Sequence, residues 1–170
     1  MNNSNKRNLS LGNYDFAADV KTIKKKMKKN PVILENMGIS PSSRSKYTNP
    51  DKYKVPLRIV LEFANQLGTT VDGIILGNCA KRANPYNIDV AFENIFEALQ
   101  NAPKWWHINP RRKKTDGTKT LSNYKKKGIP YIHKNIDIEF FLELCLCWGK
   151  SAEDILEGKF PKKNNTTKSK

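Results

Sequence analysis

The sequence lacks any long apolar run. Among its 170 residues, no stretch approaches the roughly 18 consecutive apolar residues that a membrane-spanning helix requires. Its beginning, MNNSNKRNLSLGNYDF, contains no apolar core of the kind that a signal peptide has. We therefore expect a soluble, cytoplasmic protein.

Residues that build disulfides, metal sites and active sites are also scarce. The chain has three cysteines and two histidines. Cys145 and Cys147 are two positions apart in a helical pattern, so we expect reduced thiols whose side chains point apart. His107 and His133 have no ligand partner at the spacing of a zinc site, so we predict no metal and no cofactor. Since neither a Gly-rich phosphate loop nor a nucleophile–base motif is present, we predict no enzymatic activity.

Acidic residues are outnumbered by basic ones. There are 16 Asp and Glu against 31 Lys and Arg, which gives a net charge of +15 and a pI near 9.8. Such a charge attracts polyanions and repels other copies of the chain. Nucleic acid is the first candidate partner, and an anionic membrane surface or an acidic protein remains the alternative.

Two stretches of the chain are alike: LEFANQLGTTVDGIILG, residues 61–77, and LELCLCWGKSAEDILEG, residues 142–158. Each pattern predicts an apolar helix ended by Gly and followed by a short second helix. A Gly just past a helix end is the usual left-handed cap, and Thr69 and Ser151 stand where an N-cap is expected. The identical pairs are Leu61/Leu142, Glu62/Glu143, Gly68/Gly149, Ile74/Ile155 and Gly77/Gly158.

The order of predicted helices repeats around one insertion. Apolar residues at helical spacing predict a helix from Asp15, with the lysines of 24–29 on its other faces, where a solvated surface is the usual role. A similar helix begins near Asp89. The two copies differ by 72 positions there and by 81 near their ends, and RRKKTDGTK, residues 111–119, accounts for the difference. We therefore predict an internal duplication.

The predicted division of the chain follows from this repeat. A flexible polar arm covers 1–14, the first copy 15–78, a linker 79–87, the second copy with its basic insertion 88–159, and a disordered basic tail 160–170.

The first copy resembles the helix-turn-helix domain of Cro/C1-type (Xre-like) phage repressors. NMGISPSSRSKYTN, from Asn36 to Asn49, is similar to the family's second helix, turn and recognition helix, with Gly38 on the turn glycine. LEFANQLGTTVDGII is similar to its last two helices. In the second copy TLSNYKKKG, from Thr120 to Gly128, resembles the recognition helix. The resemblance implies an all-α protein with two tandem five-helix, lambda-repressor-like helix-turn-helix domains.

A recognition helix enters a major groove about 12 Å wide, so its outer face is expected to be small, polar and basic. Because the family pattern has an apolar, core-facing residue where this chain has an arginine, Lys46 and Ser43 rank above that arginine for groove contact. The candidates in the first copy are Ser42, Ser43, Arg44 and Lys46.

The second copy offers the corresponding side chains and an adjacent basic insertion. Asn123 is suited to a bidentate contact with adenine, and basic residues of the insertion are suited to phosphates. The candidates are Arg111, Arg112, Lys113, Lys114, Lys119, Thr120, Ser122, Asn123, Lys125 and Lys126.

The resemblance implies a sequence-specific double-stranded DNA-binding regulator, a phage or mobile-element repressor of transcription. Two covalently joined copies predict a built-in pseudo-dimer, and a true homodimer is left open. The alternative is a phage-encoded inhibitor of a host defence nuclease, in the manner of an anti-CRISPR protein. In that case one copy binds a host protein or ribonucleoprotein and the other regulates its own gene.

Overall fold

The computed structural model describes residues 15–78, 81–103 and 114–161, with side chains in the last range from residue 119 onward. The predicted arm over 1–14, Cys79 in the linker, residues 111–113 of the insertion, and 162–170 of the tail lie outside the described residues. The described part is mostly helical and contains no strand, which confirms the all-α fold class. None of its helices is long and apolar enough to cross a membrane.

Nine helices make up the described part of the chain. The first half contains α1 Phe16–Lys28, α2 Pro31–Asn36, α3 Pro41–Thr48, α4 Leu57–Leu67 and α5 Val71–Leu76. The second half contains α6 Ile88–Gln100, α7 Lys114–Asn135, α8 Ile138–Trp148 and α9 Ala152–Leu156. The helical path of α7 is interrupted at Gly128, where φ is 76° and ψ is −169°.

Short polar side chains start most of these helices. Asp15 accepts hydrogen bonds from the amides of Ala17 and Ala18 at the start of α1, at 3.0 and 3.1 Å. Ser40 accepts from the amide of Ser43 at 3.3 Å, and Pro41 is the first residue of α3. Such caps satisfy amides that have no partner inside the helix.

The two similar stretches fold in the same way. Gly68 and Gly149 end α4 and α8 with φ of 66° and 61°, a left-handed conformation that other residues rarely adopt. Ser151 caps α9, as predicted. The prediction that Thr69 caps α5 was wrong: Thr70 is the cap and accepts from the amide of Gly73 at 2.8 Å. Thr69 is instead buried, in a backbone bridge with Lys81.

Backbone segments 81 positions apart meet and exchange hydrogen bonds reciprocally. The amide of Leu57 donates to the carbonyl of Ile136 at 2.9 Å, and the amide of Ile138 donates to the carbonyl of Val55 at 3.0 Å. Leu57 corresponds to Ile138 in the repeat, and Val55 corresponds to Ile136. Such a self-complementary contact is what an approximate two-fold axis produces. The two halves therefore meet as an isologous pair within one chain.

A second reciprocal contact joins α5 to α9. The amide of Asp72 donates to Glu153 Oε2 at 3.3 Å, and the amide of Glu153 donates to Asp72 Oδ2 at 3.4 Å. These two residues also correspond to each other in the repeat. The amide of Val71 and the hydroxyl of Tyr86 both donate to Glu153 Oε1.

The apolar side chains of both halves form one continuous core. It includes Ile23 and Met27 from α1, Phe63 from α4, Phe92 from α6 and Phe140 from α8, all of which are fully buried. Burial of such side chains stabilises a fold by roughly 1.5–3 kcal/mol each. The cluster therefore includes residues of both halves.

The carboxyl group of Glu153 is electrostatically unusual. Burial, followed by the neighbouring Asp72 carboxylate, raises the pKa of Glu153 from its ordinary value of 4.5 to about 8. The same burial and the nearby Glu153 raise the pKa of Tyr86 above its usual range. The hydrogen bonds that Glu153 accepts from the hydroxyl of Tyr86 and the amide of Asp72 oppose this rise in pKa.

This arrangement predicts a stability that falls as pH rises. A group whose pKa is higher in the folded state stabilises the fold fully below its unfolded pKa, and this stabilisation is lost as pH rises through the folded pKa. We expect the free energy of unfolding to fall by on the order of 2 kcal/mol between pH 5 and pH 9. Urea denaturation at a series of pH values measures this free energy of unfolding.

Replacing Glu153 with Gln should flatten this profile, because the amide keeps the hydrogen-bonding shape without titrating. Glu157→Gln is the matched control, since that carboxylate ends the same helix but pairs with Arg82 at 3.3 Å. An equal pH dependence of stability in the parent chain and in Glu153→Gln would contradict the raised pKa of Glu153 as its cause.

Candidate nucleic-acid interface

The helix α3 lies wholly at the surface of the first half. It has no buried residue. Ser42, Ser45 and Lys46 are exposed. Ser45 and Lys46 lie three and four residues after Ser42, so the three side chains share the outward face. Ser43 is half-buried beside them, and the Ser40 hydroxyl donates to its oxygen at 3.1 Å. The predicted Ser42 and Lys46 are thus on the outer face, and Ser43 is at its edge.

The predicted Arg44 is on the inner side of α3. Its side chain is 24% exposed and its guanidinium pairs with Glu35 of α2 at 3.5 Å. It lines a groove of about 300 Å³ with Met27 and Leu34.

The first part of α7 presents a similar outer face in the second half. Lys119, Ser122 and Lys126 are exposed at steps of three and four residues. Asn123 and Lys125 are half-buried on the flanks. Thr120 is half-buried as well.

Tyr124 anchors the inner side of α7. It is 4% exposed, and its ring meets Phe140 edge-on with centroids 4.9 Å apart. Its hydroxyl donates to the carbonyl of Asn135 at 3.1 Å. Because this ring faces inward, Ser122 and Lys126, two positions away on either side, lie on the exposed face of α7.

When TLSNYKKKG is laid over SPSSRSKYT, exposure agrees at some positions and differs at others, since Ser45 and Lys127 are exposed opposite the half-buried Lys125 and Tyr47. Ser42 and Ser122 are exposed, Ser43 and Asn123 half-buried, Arg44 and Tyr124 directed inward, and Lys46 and Lys126 exposed. Sequence reasoning missed two exposed residues beside these sets: Ser45 and Lys127. The three-residue step from Ser42 to Ser45 was the signal that could have indicated the first of them.

The structure keeps the two candidate sets on separate halves. α3 packs against α1, whereas α7 packs against α6 and α4. Of the predicted insertion, Arg111, Arg112 and Lys113 lie outside the described residues, and only the backbone of Lys114 is described. The predicted phosphate contacts of these four residues therefore stay a prediction.

The lysine run on α1 does not consist only of solvated side chains. Lys24 is 3% exposed, so the expectation of a solvated position was wrong for this residue. Its ammonium group donates to the carbonyl of Asn49 at 2.7 Å and to that of Tyr53 at 2.5 Å. Burial lowers the pKa of Lys24, and the charges of Asp51 and Glu139 oppose that shift. Lys24 thus holds the C-terminal end of α3 and the following turn against α1.

Ion pairs join the turn after α3 to the second half. Lys54 pairs with Asp137 at 3.2 Å, and Asp137 caps α8 by accepting from the amide of Phe140 at 2.9 Å. Lys21 pairs with Asp51 at 3.6 Å on the other side of a cleft of about 270 Å³. The segment between α3 and the axis is therefore fixed at both ends.

Other chemistry is sparse in the part of the chain that the structure describes. No group of three His, Cys, Asp or Glu side chains is placed there to hold a metal ion. Cys145 and Cys147 are free thiols. Burial raises the pKa of Cys145, and burial raises the pKa of Cys147 to about 11, so both are poor nucleophiles at neutral pH.

The chain matches no protein-family model, no curated protein and no solved structure.

The bonds of Lys24 predict a specific loss of stability. Replacing Lys24 with Met keeps the aliphatic stem but leaves the carbonyls of Asn49 and Tyr53 without their donor. We expect the free energy of unfolding to fall by about 1–3 kcal/mol, as measured by urea denaturation. Lys25→Met is the control, because Lys25 is exposed and should change stability by no more than about 0.5 kcal/mol. Equal effects of the two substitutions would contradict this role.

Proposed function

We propose that this chain is a sequence-specific double-stranded DNA-binding regulator that represses transcription by covering a promoter. One observation carries the proposal: α3 and α7 each expose a serine and, four residues later, a lysine, which are Ser42 and Lys46 in one half and Ser122 and Lys126 in the other. The resemblance of Asn36–Asn49 to the Cro/C1-type helix-turn-helix motif supports the same function. The net charge of +15 supports a polyanionic partner.

The chemistry of the outer faces suits a major groove. Serine and asparagine side chains are able to donate to and accept from base edges, and lysines are able to contact guanine or phosphate. Ser42, Lys46, Ser122 and Lys126 carry no bulky apolar group that would prevent close approach. We assign base contacts to Ser43, Lys46 and Asn123. We assign phosphate contacts to the basic candidates of the second half, which are Arg111, Arg112, Lys113, Lys114, Lys119, Lys125 and Lys126.

The position of the axis is compatible with one duplex contacting both helices. Val55 at the axis lies only seven positions after Thr48, the end of α3. A chain of that length spans at most about 25 Å, so the end of α3 lies within that distance of the axis contact. Two symmetric half-sites separated by about 34 Å, one helical turn of DNA, are within this limit.

A second candidate function is favoured by one difference between the halves. After Gly128, α7 continues through Pro130 to Asn135, whereas the corresponding segment after α3 is a turn. This difference favours a second half that binds a host protein or ribonucleoprotein, as an inhibitor of a defence nuclease does, while the first half binds DNA.

Binding and preference are measured together by fluorescence anisotropy at about 150 mM salt. The probes are the duplex from directly upstream of the chain's own gene and a shuffled duplex of equal length. We expect a preference of roughly 10³-fold or more for the first duplex. Equal, weak and strongly salt-dependent binding to both would contradict sequence-specific regulation and would mean that charge alone attracts these duplexes.

A double substitution tests the assignment of α3. Ser43→Ala with Lys46→Ala removes two predicted groove contacts but keeps the backbone amide that Ser40 caps. We expect the preference between the two duplexes to fall by on the order of 10²-fold with an unchanged melting temperature. Lys81→Ala is the charge control, because Lys81 is exposed in the segment between the halves. Unchanged discrimination in the double variant would show that α3 does not read bases.

A further inference from the structure

The first helices of the two halves occupy equivalent positions but carry opposite charge. α1 and α6 both contain 13 residues, start 72 positions apart and begin at a side-chain cap, Asp15 or Asn87. α1 packs against α5, and α6 packs against α9 in the same way. α1 carries five lysines and one acid, whereas α6 carries three acids and no basic residue.

Three lysines at the end of α1 form one exposed basic surface. Lys25, Lys28 and Lys29 are exposed. Lys28 and Lys29 lie three and four residues after Lys25, which places the three lysines on one side of the helix end. None of the three has an ion-pair partner within the described part of the chain. Lys28 lines the groove with Arg44 and Ser45, so this surface adjoins α3 directly.

The fold itself does not require these lysines. Basic residues at a helix C-terminus stabilise its dipole, and that could explain one of them. However, α6 ends with Gln100 followed by Asn101, and it completes its last turn without any basic residue. Three neighbouring ammonium groups also repel one another by a few tenths of a kcal/mol per pair. The charge is therefore retained at a small cost in stability.

We propose that Lys25, Lys28 and Lys29 form a phosphate-binding surface for duplex DNA, continuous with the outer face of α3 and without a counterpart on α6. This inference rests on the DNA-binding part of the proposed function and adds a partner group, the sugar–phosphate backbone next to the α3 half-site. The chain then holds a duplex asymmetrically: the first half binds through α1 and α3, and the second half through α7. A DNA site with two unequal half-sites therefore fits this chain better than a perfect palindrome does.

The salt dependence of binding tests the proposal without knowledge of the operator. Each phosphate contact contributes about 0.9 to the slope of log K against log salt concentration, for specific and non-specific duplexes alike. With a 24-base-pair duplex of fixed sequence, we expect Lys25→Gln, Lys28→Gln and Lys29→Gln together to reduce the slope by about 2.7. Affinity at about 150 mM salt should fall on the order of 10- to 100-fold. The melting temperature should stay the same or rise slightly, which a structural role would not allow.

A matched variant controls for total charge. Lys81→Gln, Lys150→Gln and Lys159→Gln remove the same charge from residues that follow α5, α8 and α9. We expect this variant to keep the parent slope, since charges beyond about 8 Å are screened at this salt concentration.

The outcomes separate this inference from the proposed function. An unchanged slope in the α1 variant, or an equal loss in the control, would overturn the phosphate-binding surface while leaving sequence preference intact. Loss of slope in the α1 variant of a protein that prefers no sequence would support the surface and contradict the regulator. A parent chain that binds no duplex would overturn both.

Discussion

The exchange of backbone hydrogen bonds between Val55–Leu57 and Ile136–Ile138 is the constraint on which the arrangement of the halves depends. A two-residue ladder of this kind is weak by itself, at about 1 kcal/mol for each bond. It lies beside the contact between α4 and α8, within a cluster of core residues that includes both halves. The Asp72–Glu153 contact repeats the same reciprocity at α5 and α9, so the axis is fixed at two places.

The two halves satisfy the backbone carbonyls of one corresponding segment in different ways. In the first half, the turn after α3 has carbonyls that need a donor, and Lys24 of α1 supplies it from a buried position. In the second half, Phe96 stands at the position corresponding to Lys24, and the segment from Ile129 to Asn135 is helical. A helix satisfies its own carbonyls, so an apolar ring can pack where the lysine was needed. The replacement of a lysine by a phenylalanine is therefore matched by the replacement of a turn by a helical segment.

Local features of this fold could be predicted from the sequence, whereas contacts between distant residues could not. Ser40, Ser151, Gly68 and Gly149 act within a few residues of their own position, where the rules for helix ends apply. The misplacement of the α5 cap at Thr69 came from two adjacent threonines, of which only Thr70 aligns with Ser151. The outer faces of α3 and α7 were foreseen apart from Ser45 and Lys127. The burial of Lys24 depends on carbonyls 25 and 29 positions away. The reciprocal pairs are separated by about 80 positions, and no short pattern encodes them.

Covalent linkage across an isologous contact changes what a single substitution can do. In a homodimer every substitution appears twice, so a gain on one side of the axis is always accompanied by its copy on the other. Here the residue at position 24 can be a lysine while its counterpart at 96 is a phenylalanine, and α1 can be basic while α6 is acidic. The halves also stay together at any dilution, since no dissociation equilibrium separates them. Each half is therefore free to specialise without a loss of symmetry at the contact that joins them.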